Sequence, residues 1–174
     1  MYTIYNQRFN SNEWFVIGML IIGGLAVWKL PKRFSVKESL VYFLYFVFVG
    51  IIFDHTVGIK PFDFYDVNDS SAYQLMDFLS YVSFGPFGYL FIYLYDCFKI
   101  KNSYNTIYIF CWTMSALVTE YIADILGVYH YKNGYEFYYS FPIYLMILTS
   151  DLLLYKVLSS KKADADLKSN FHGH

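Results

Sequence analysis

Residues 107–128 read IYIFCWTMSALVTEYIADILGV. About 20 mostly apolar residues suffice for a spanning helix, so this run is long enough to cross a bilayer, yet it carries two acids. Glu120 and Asp124 are spaced i, i+4 and share one helical face. At a rise of about 1.5 Å per residue they lie roughly 12 Å and 6 Å short of Val128. A charge in hydrocarbon is costly, so this face is expected to point into a bundle. Four further apolar runs lie at 14–30, 40–58, 73–98 and 141–158. No long Pro/Ser/Gly linker separates them, and none sustains period-two alternation. The expected fold is all-α: one polytopic transmembrane five-helix bundle over residues 1–158, followed by a short cytoplasmic tail at 159–174.

Composition agrees. Of 174 residues, 57% are hydrophobic, 24% aromatic and only 16% charged. An average soluble domain is about 45–50% apolar and about 25% charged, so this chain has too few charges to cover itself in water. Disorder needs the opposite balance. A net charge of −1 without a basic stripe argues against a nucleic-acid partner. The lipid bilayer is the expected surrounding, in a plasma (inner) membrane.

The bases set an orientation. Ten lie in segments placed inside: Lys29, Lys32, Arg33, Lys37, Lys99, Lys101, Lys156, Lys161, Lys162 and Lys168. Three lie outside: Arg8, Lys60 and Lys132. The positive-inside rule then reads N-out, C-in. The first span is not a cleavable signal, because its bases follow the apolar run and no small-residue cleavage site is visible. Trp14 and Trp28 bracket it as interfacial anchors. Cys97 and Cys111 fall toward cytoplasmic helix ends and should stay reduced.

The acids run the other way. Asp54 and His55 end the second span, Asp77 begins the third, Glu120 and Asp124 lie in the fourth, and His130 follows it. These six form the candidate polar cluster, at one depth in the outer half. Asp63, Asp66 and Asp69, in the polar loop PFDFYDVNDSS, read as a solvated surface. Asp151 stands at mid-membrane, where it should face the bundle and be hydrogen-bonded. Pro86 frees the carbonyl of Val82, which offers a partner for it. Asp96 beside Lys99 reads as a surface group.

The second and fourth spans end alike, each with an Asp, then a Gly three or four residues on, then an aromatic loop with one Lys. A parallel repeat of helix pairs 2–3 and 4–5 is therefore expected, and such repeats often frame a site. Gly58 and Gly127 would be the residues just past each helix, placing the acids near the negative dipole end. The loop from Tyr129 to Tyr139 reads first as an aromatic interface belt. Asn133-Gly134 is a turn signal, so a hairpin cap over an acidic cavity is the functional alternative.

The five-span layout, the acid ending the second helix, the Glu120/Asp124 pair and the Tyr-rich loop resemble small uncharacterised membrane proteins of spore-forming Gram-positive bacteria. That resemblance implies an inner-membrane bundle without assigned chemistry. A looser likeness is to short helical domains of carotenoid cyclases, whose paired Pro-Glu-Glu signature this chain lacks. It also has no Walker loop, GxSxG, HExxH or metal quartet, and neither a cofactor nor a metal is expected. The expectation is a non-enzymatic sensor, accessory or scaffold subunit with an acidic outer-half cavity, as a homo-oligomer or beside a membrane protein partner. The alternatives are a small proton-coupled carrier, or a lipid- or isoprenoid-modifying enzyme using the intramembrane carboxylates.

Overall fold

Five long helices run alternately up and down. They are α1 (Ser11–Lys29), α2 (Val36–Asp54), α3 (Leu75–Cys97), α4 (Asn105–Ile125) and α5 (Ser140–His172). Two three-residue strands, β1 (Tyr65–Val67) and β2 (Tyr129–Tyr131), pair antiparallel with Tyr65 opposite Tyr131 and Val67 opposite Tyr129. The computed structural model describes residues 4, 5 and 8–172, with side chains described as far as Lys162. Asp164, Asp166, Lys168 and the His172-Gly173-His174 end lie outside those described side chains. All five helices are long and apolar enough to cross a membrane, which fits a multi-pass integral membrane protein. The end carrying the strands is called the sheet end, and the opposite end the tail end.

The helices start where side chains satisfy their free N–H groups. Asn10 and Glu13 form a capping box at α1, and Ser35 and Glu38 form another at α2. At α3 the Asp77 carboxylate accepts from the Gln74 N–H at 2.6 Å. These caps start α1 and α2 three or four residues before the expected spans. The second span also ends early, at Asp54 instead of residue 58. There the His55 ring lies 2.9 Å from the Ile51 carbonyl, and the Thr56 hydroxyl donates to the Ile52 carbonyl at 2.6 Å. These side chains occupy the last carbonyls that the helix would otherwise leave bare. At the far end of the chain, the α5 backbone stays helical to His172, so residues 159–172 extend that helix.

The two similar helix ends are built differently. Gly127 has φ +81°, and the N–H groups of Gly127 and Val128 return to the carbonyls of Asp124 and Ala123. That is the glycine-terminated helix end expected. Gly58 is not in that conformation. A side chain there would meet the Asp54 carbonyl at 2.7 Å and its Oδ1 at 3.1 Å, so glycine serves close approach to Asp54.

α3 is the central helix, with 56% of its spanning window buried against 11% for α2. It packs mainly on α1 and α2, while α4 packs on α5. Small residues decide the approach. The Phe43 ring tip lies against Gly85, Phe46 lies against Gly88, the Phe84 ring against Gly50, and Pro86 against Gly23 of α1. Below these contacts a core of Tyr42, Phe91, Ile92, Tyr95, Leu148 and Leu152 fills the tail half. Asp96 joins three segments there, taking Arg33 Nε at 2.7 Å and the Tyr155 hydroxyl at 2.6 Å.

The glycine contacts make an ordered prediction. A Cβ on Gly88 meets Phe46 close to its backbone, with the Phe46 Cβ at 3.0 Å, so Gly88→Ala should cost about 1–3 kcal/mol by overpacking. Gly24→Ala meets nothing within 4 Å and should be neutral or stabilising by up to about 1 kcal/mol. Thermal unfolding of both variants in one detergent checks the order.

Candidate functional site

Between the α1–α3 group and the α4–α5 pair lies a cavity of about 530 Å³ at the sheet end. That volume is within the range of small-molecule sites, roughly 300–1,000 Å³. Its floor and walls are apolar, including Phe46, Phe84, Phe87, Trp112, Ile147 and Leu148. Its roof is the small sheet. Strand residues alternate faces, so Tyr65, Val67, Tyr129 and Tyr131 face the cavity while Asp66 and His130 face away.

Two carboxylates line it, Asp54 from α2 and Glu120 from α4. The Tyr81 hydroxyl donates to Asp54 Oδ2. Glu120 is 6% exposed. Its Oε1 accepts from the Tyr131 hydroxyl at 2.6 Å and from Ser140 at 2.7 Å. The Ser140 proton is thereby committed, so the Tyr135 hydroxyl donates to Ser140 Oγ at 2.9 Å. The Tyr144 hydroxyl stands close enough to the same carboxylate to act on it as a donor, but among the described residues no donor reaches Glu120 Oε2 in normal hydrogen-bond geometry. Tyr65, Tyr129 and Tyr131 have their hydroxyl pKa values raised, foremost by burial. Burial raises that of Tyr135 too. All four remain neutral phenols at physiological pH.

The other expected members of the cluster lie elsewhere. Asp77 is a helix cap, its Oδ2 on the Gln74 N–H and its Oδ1 on Asn68 at 2.7 Å. An acid three residues into a helix satisfies a free N–H and suits the dipole. His55 is exposed and turned back onto its own helix. Asp124 is half-buried and does not line the cavity; it lies near His130. His130 is on the outer face of β2, stacked on Tyr5 with ring centroids 3.8 Å apart. Asp151 does face the bundle, at 0% exposure, but neither of its oxygens has a partner. The expected bond to the carbonyl of Val82 is not made.

The loop acids are corrected as well. Asp66 and Asp69 are buried at 7% and 8% exposure. Lys132 reaches Asp63 at 2.7 Å and Asp66 at 2.8 Å, and the Tyr5 hydroxyl donates to Asp66 Oδ2. Asp69 accepts from Asn12 Nδ2 at 2.7 Å. Its carboxyl is pushed up, by burial first, against the opposing pull of Asn12 and with Glu13 adding to the rise. Nor is the aromatic loop a hairpin. Asn133 and Gly134 form the turn, both at positive φ, but β2 pairs with β1. Tyr138 and Tyr139 alone keep the exposed character of a belt, at 48% each.

Tyr129, Tyr131 and Tyr135 of the aromatic loop do line the cavity; what escaped sequence reasoning is the strand pairing that brings Tyr65 beside them. Its one signal was Tyr129-His130-Tyr131, an alternation too short to count by itself. Set against known protein families, characterised proteins and solved structures, the chain matches none.

Lys132 is the clamp of the sheet's outer face. Burial acts to lower its ammonium, but hydrogen bonds to Asp63 and Asp66 outweigh it and hold the group above its ordinary 10.5. A raised base stabilises fully below its unfolded value and loses that effect as pH rises through the folded one. The clamp should therefore persist to pH 10 and release only above it. Lys132→Met leaves Asp66 short of its charge partner and should cost about 1.5–3 kcal/mol. Hydrogen exchange at residues 64–68 and 128–132 should quicken at least about tenfold. Lys162→Met, which breaks an exposed pair with Glu38, should change stability by under about 1 kcal/mol.

Proposed function

We propose that this chain is a non-enzymatic sensor or accessory subunit of a bacterial plasma membrane whose sheet-end cavity holds a small apolar or amphiphilic molecule. One observation carries the reading. A cavity of about 530 Å³ with a hydrophobic floor has carboxylates from both helix groups in its wall. A bundle stabilised only by packing has no need of that space. Ligand sites in helical membrane proteins lie between helices in this way.

The sheet end faces outward, with N-terminus out and C-terminus in. The ten bases against three support this orientation, as do Arg33, Lys156 and Lys162 at the tail end. The parallel repeat is supported by β1 and β2. Each follows the helix that carries a cavity acid, and the two pair antiparallel across the cavity roof. Tyr81 of α3 and Tyr144 of α5 stand at matching places beside Asp54 and Glu120. The resemblance to five-span membrane proteins of spore formers points to the same membrane. A second copy or another membrane protein would receive the signal.

Two measurements test the proposal. Native mass spectrometry of the purified protein should find a bound small molecule in the parent and none in Ala116→Phe, which fills the cavity from α4. An unoccupied parent would sink the reading, and a chemically altered lipid pool in expressing cells would favour a modifying enzyme instead. For orientation, Cys97 is free and exposed at the tail end. In a Cys111→Ser background, maleimide should label it in whole cells only after permeabilisation.

A further inference from the structure

We propose that the molecule held in this cavity is an amphiphile with a cationic amine head, seated between Asp54 and Glu120, and an apolar body extending toward Trp112. The inference rests on the cavity being a binding site and specifies the chemistry of its occupant.

Charge gives the first argument. Among the described residues, no Lys, Arg or His lines the cavity, although two carboxylates do. Of the nearby bases, Lys132 is paired with Asp63 and Asp66, and His130 stacks on Tyr5 on the outer face of the sheet. His55 lies within electrostatic reach of Asp54 from outside the cavity, its ring 2.9 Å from the Ile51 carbonyl. Glu120 has no such base beside it. A buried carboxylate needs a partner charge or hydrogen bonds to both oxygens. Glu120 Oε2, in a residue 94% buried, has no charge partner and no hydrogen bond of normal geometry among the described residues, with only the Tyr144 hydroxyl standing nearby. A donor or cation entering the cavity is the partner that this oxygen lacks.

The rings give the second. Tyr65, Tyr129, Tyr131 and Tyr135 line the roof, with neighbouring centroids 5.6 to 6.3 Å apart. Tyr65 and Tyr129 lie within electrostatic reach of both acids. The roof rings pack on one another and make a continuous aromatic surface, and aromatic rings attract a desolvated cation. An anionic head would face two carboxylates with no base lining the cavity, so fatty acids and phosphate-only heads are disfavoured.

The third is shape. From Glu120 to Trp112 along α4 is eight residues, roughly 12 Å. Over that depth the wall is Ala116, Phe46, Phe84, Phe87 and Leu148. A head at the acids and an alkyl or ring body on these side chains would fill the space.

The test uses the full chain in nanodiscs. Trp112 fluorescence is the readout, in a Trp14→Phe/Trp28→Phe background, since both of those residues are exposed. The probes are decyltrimethylammonium, decanol and decanoate, each corrected against empty nanodiscs. The ammonium should bind at least tenfold tighter than decanol, and decanoate weakest. In Glu120→Gln that preference should collapse, the ammonium losing at least tenfold more affinity than decanol. Asp54→Asn should weaken the ammonium in the same selective way, which keeps the test open if one variant fails to fold. Equal binding of ammonium and decanol, or uniform weakening of all probes in the variants, overturns the cationic head. No probe binding to a parent that mass spectrometry shows occupied overturns it too, and leaves the binding reading standing. An unoccupied parent that binds no probe defeats both.

Discussion

The rest of the structure depends on how closely α2 is pressed into α3. Between helices in lipid there is no solvent to expel, so association relies on van der Waals contact at short range. Gly85 and Gly88 provide that range for Phe43 and Phe46, and Gly50 returns it for Phe84. The contact also fixes register. Asp54 lies eight residues beyond Phe46, and Tyr81 lies seven before Gly88 on the antiparallel neighbour, so the two arrive at one level and bond. Sliding α2 by one turn would remove both the packing and the Asp54 site.

Where α2 and α3 are locked, α4 and α5 are held to them mainly at the two ends. At the tail end Asp96 and the tyrosine core close the bundle, and nearer mid-bundle Tyr45 of α2 reaches Ser150 of α5 at 2.5 Å. At the sheet end the closure is the short ladder between β1 and β2. Two strands of three residues have little stability by themselves, so their other contacts matter. Lys132, Tyr5 and Asn68 supply these on the faces and edges away from the cavity. The period-two alternation of a strand then divides labour: charges hold the lid from outside, and tyrosines finish the cavity from inside. The space between the two closures is what remains unfilled.

The five helices were legible because length and hydropathy need no tertiary context. Their ends were less so, since side chains such as Ser35, His55 and Thr56 decide them locally. Glu120 and Asp54 could be read as inward acids because lipid penalises the alternative. Asp77 was grouped with them, although its place three residues after Gln74 is a capping spacing visible in the sequence. The loop from Tyr129 to Tyr139 could be read as a cap, but its pairing with Tyr65 was beyond reach, because Tyr65 and Tyr131 meet only across 66 residues of chain. Asp63, Asp66 and Asp69 looked solvated for the same reason: Lys132, Tyr5 and Asn12, their partners, are equally distant.

The carboxylates of this protein can be sorted by how they use their oxygens. Asp96 gives one to Arg33 and one to Tyr155; Asp77 gives one to Asn68 and one to the Gln74 N–H; Asp66 gives one to Lys132 and one to Tyr5. Each holds two segments together, and each has both oxygens satisfied. Glu120 does not follow this pattern. Two donors converge on Oε1, from β2 and α5, while Oε2 is left bare. A group serving only as a staple gains by spreading its donors, because an unpaired buried oxygen costs about 1–3 kcal/mol. Asp151 has two bare oxygens, but it does not line the cavity, so no molecule there can reach it. Glu120 combines an unmet oxygen with open space, and its two donors fix the carboxylate so that this oxygen is held ready. That asymmetry sets Glu120 apart from Asp96, Asp77 and Asp66, and the proposed binding role rests on it.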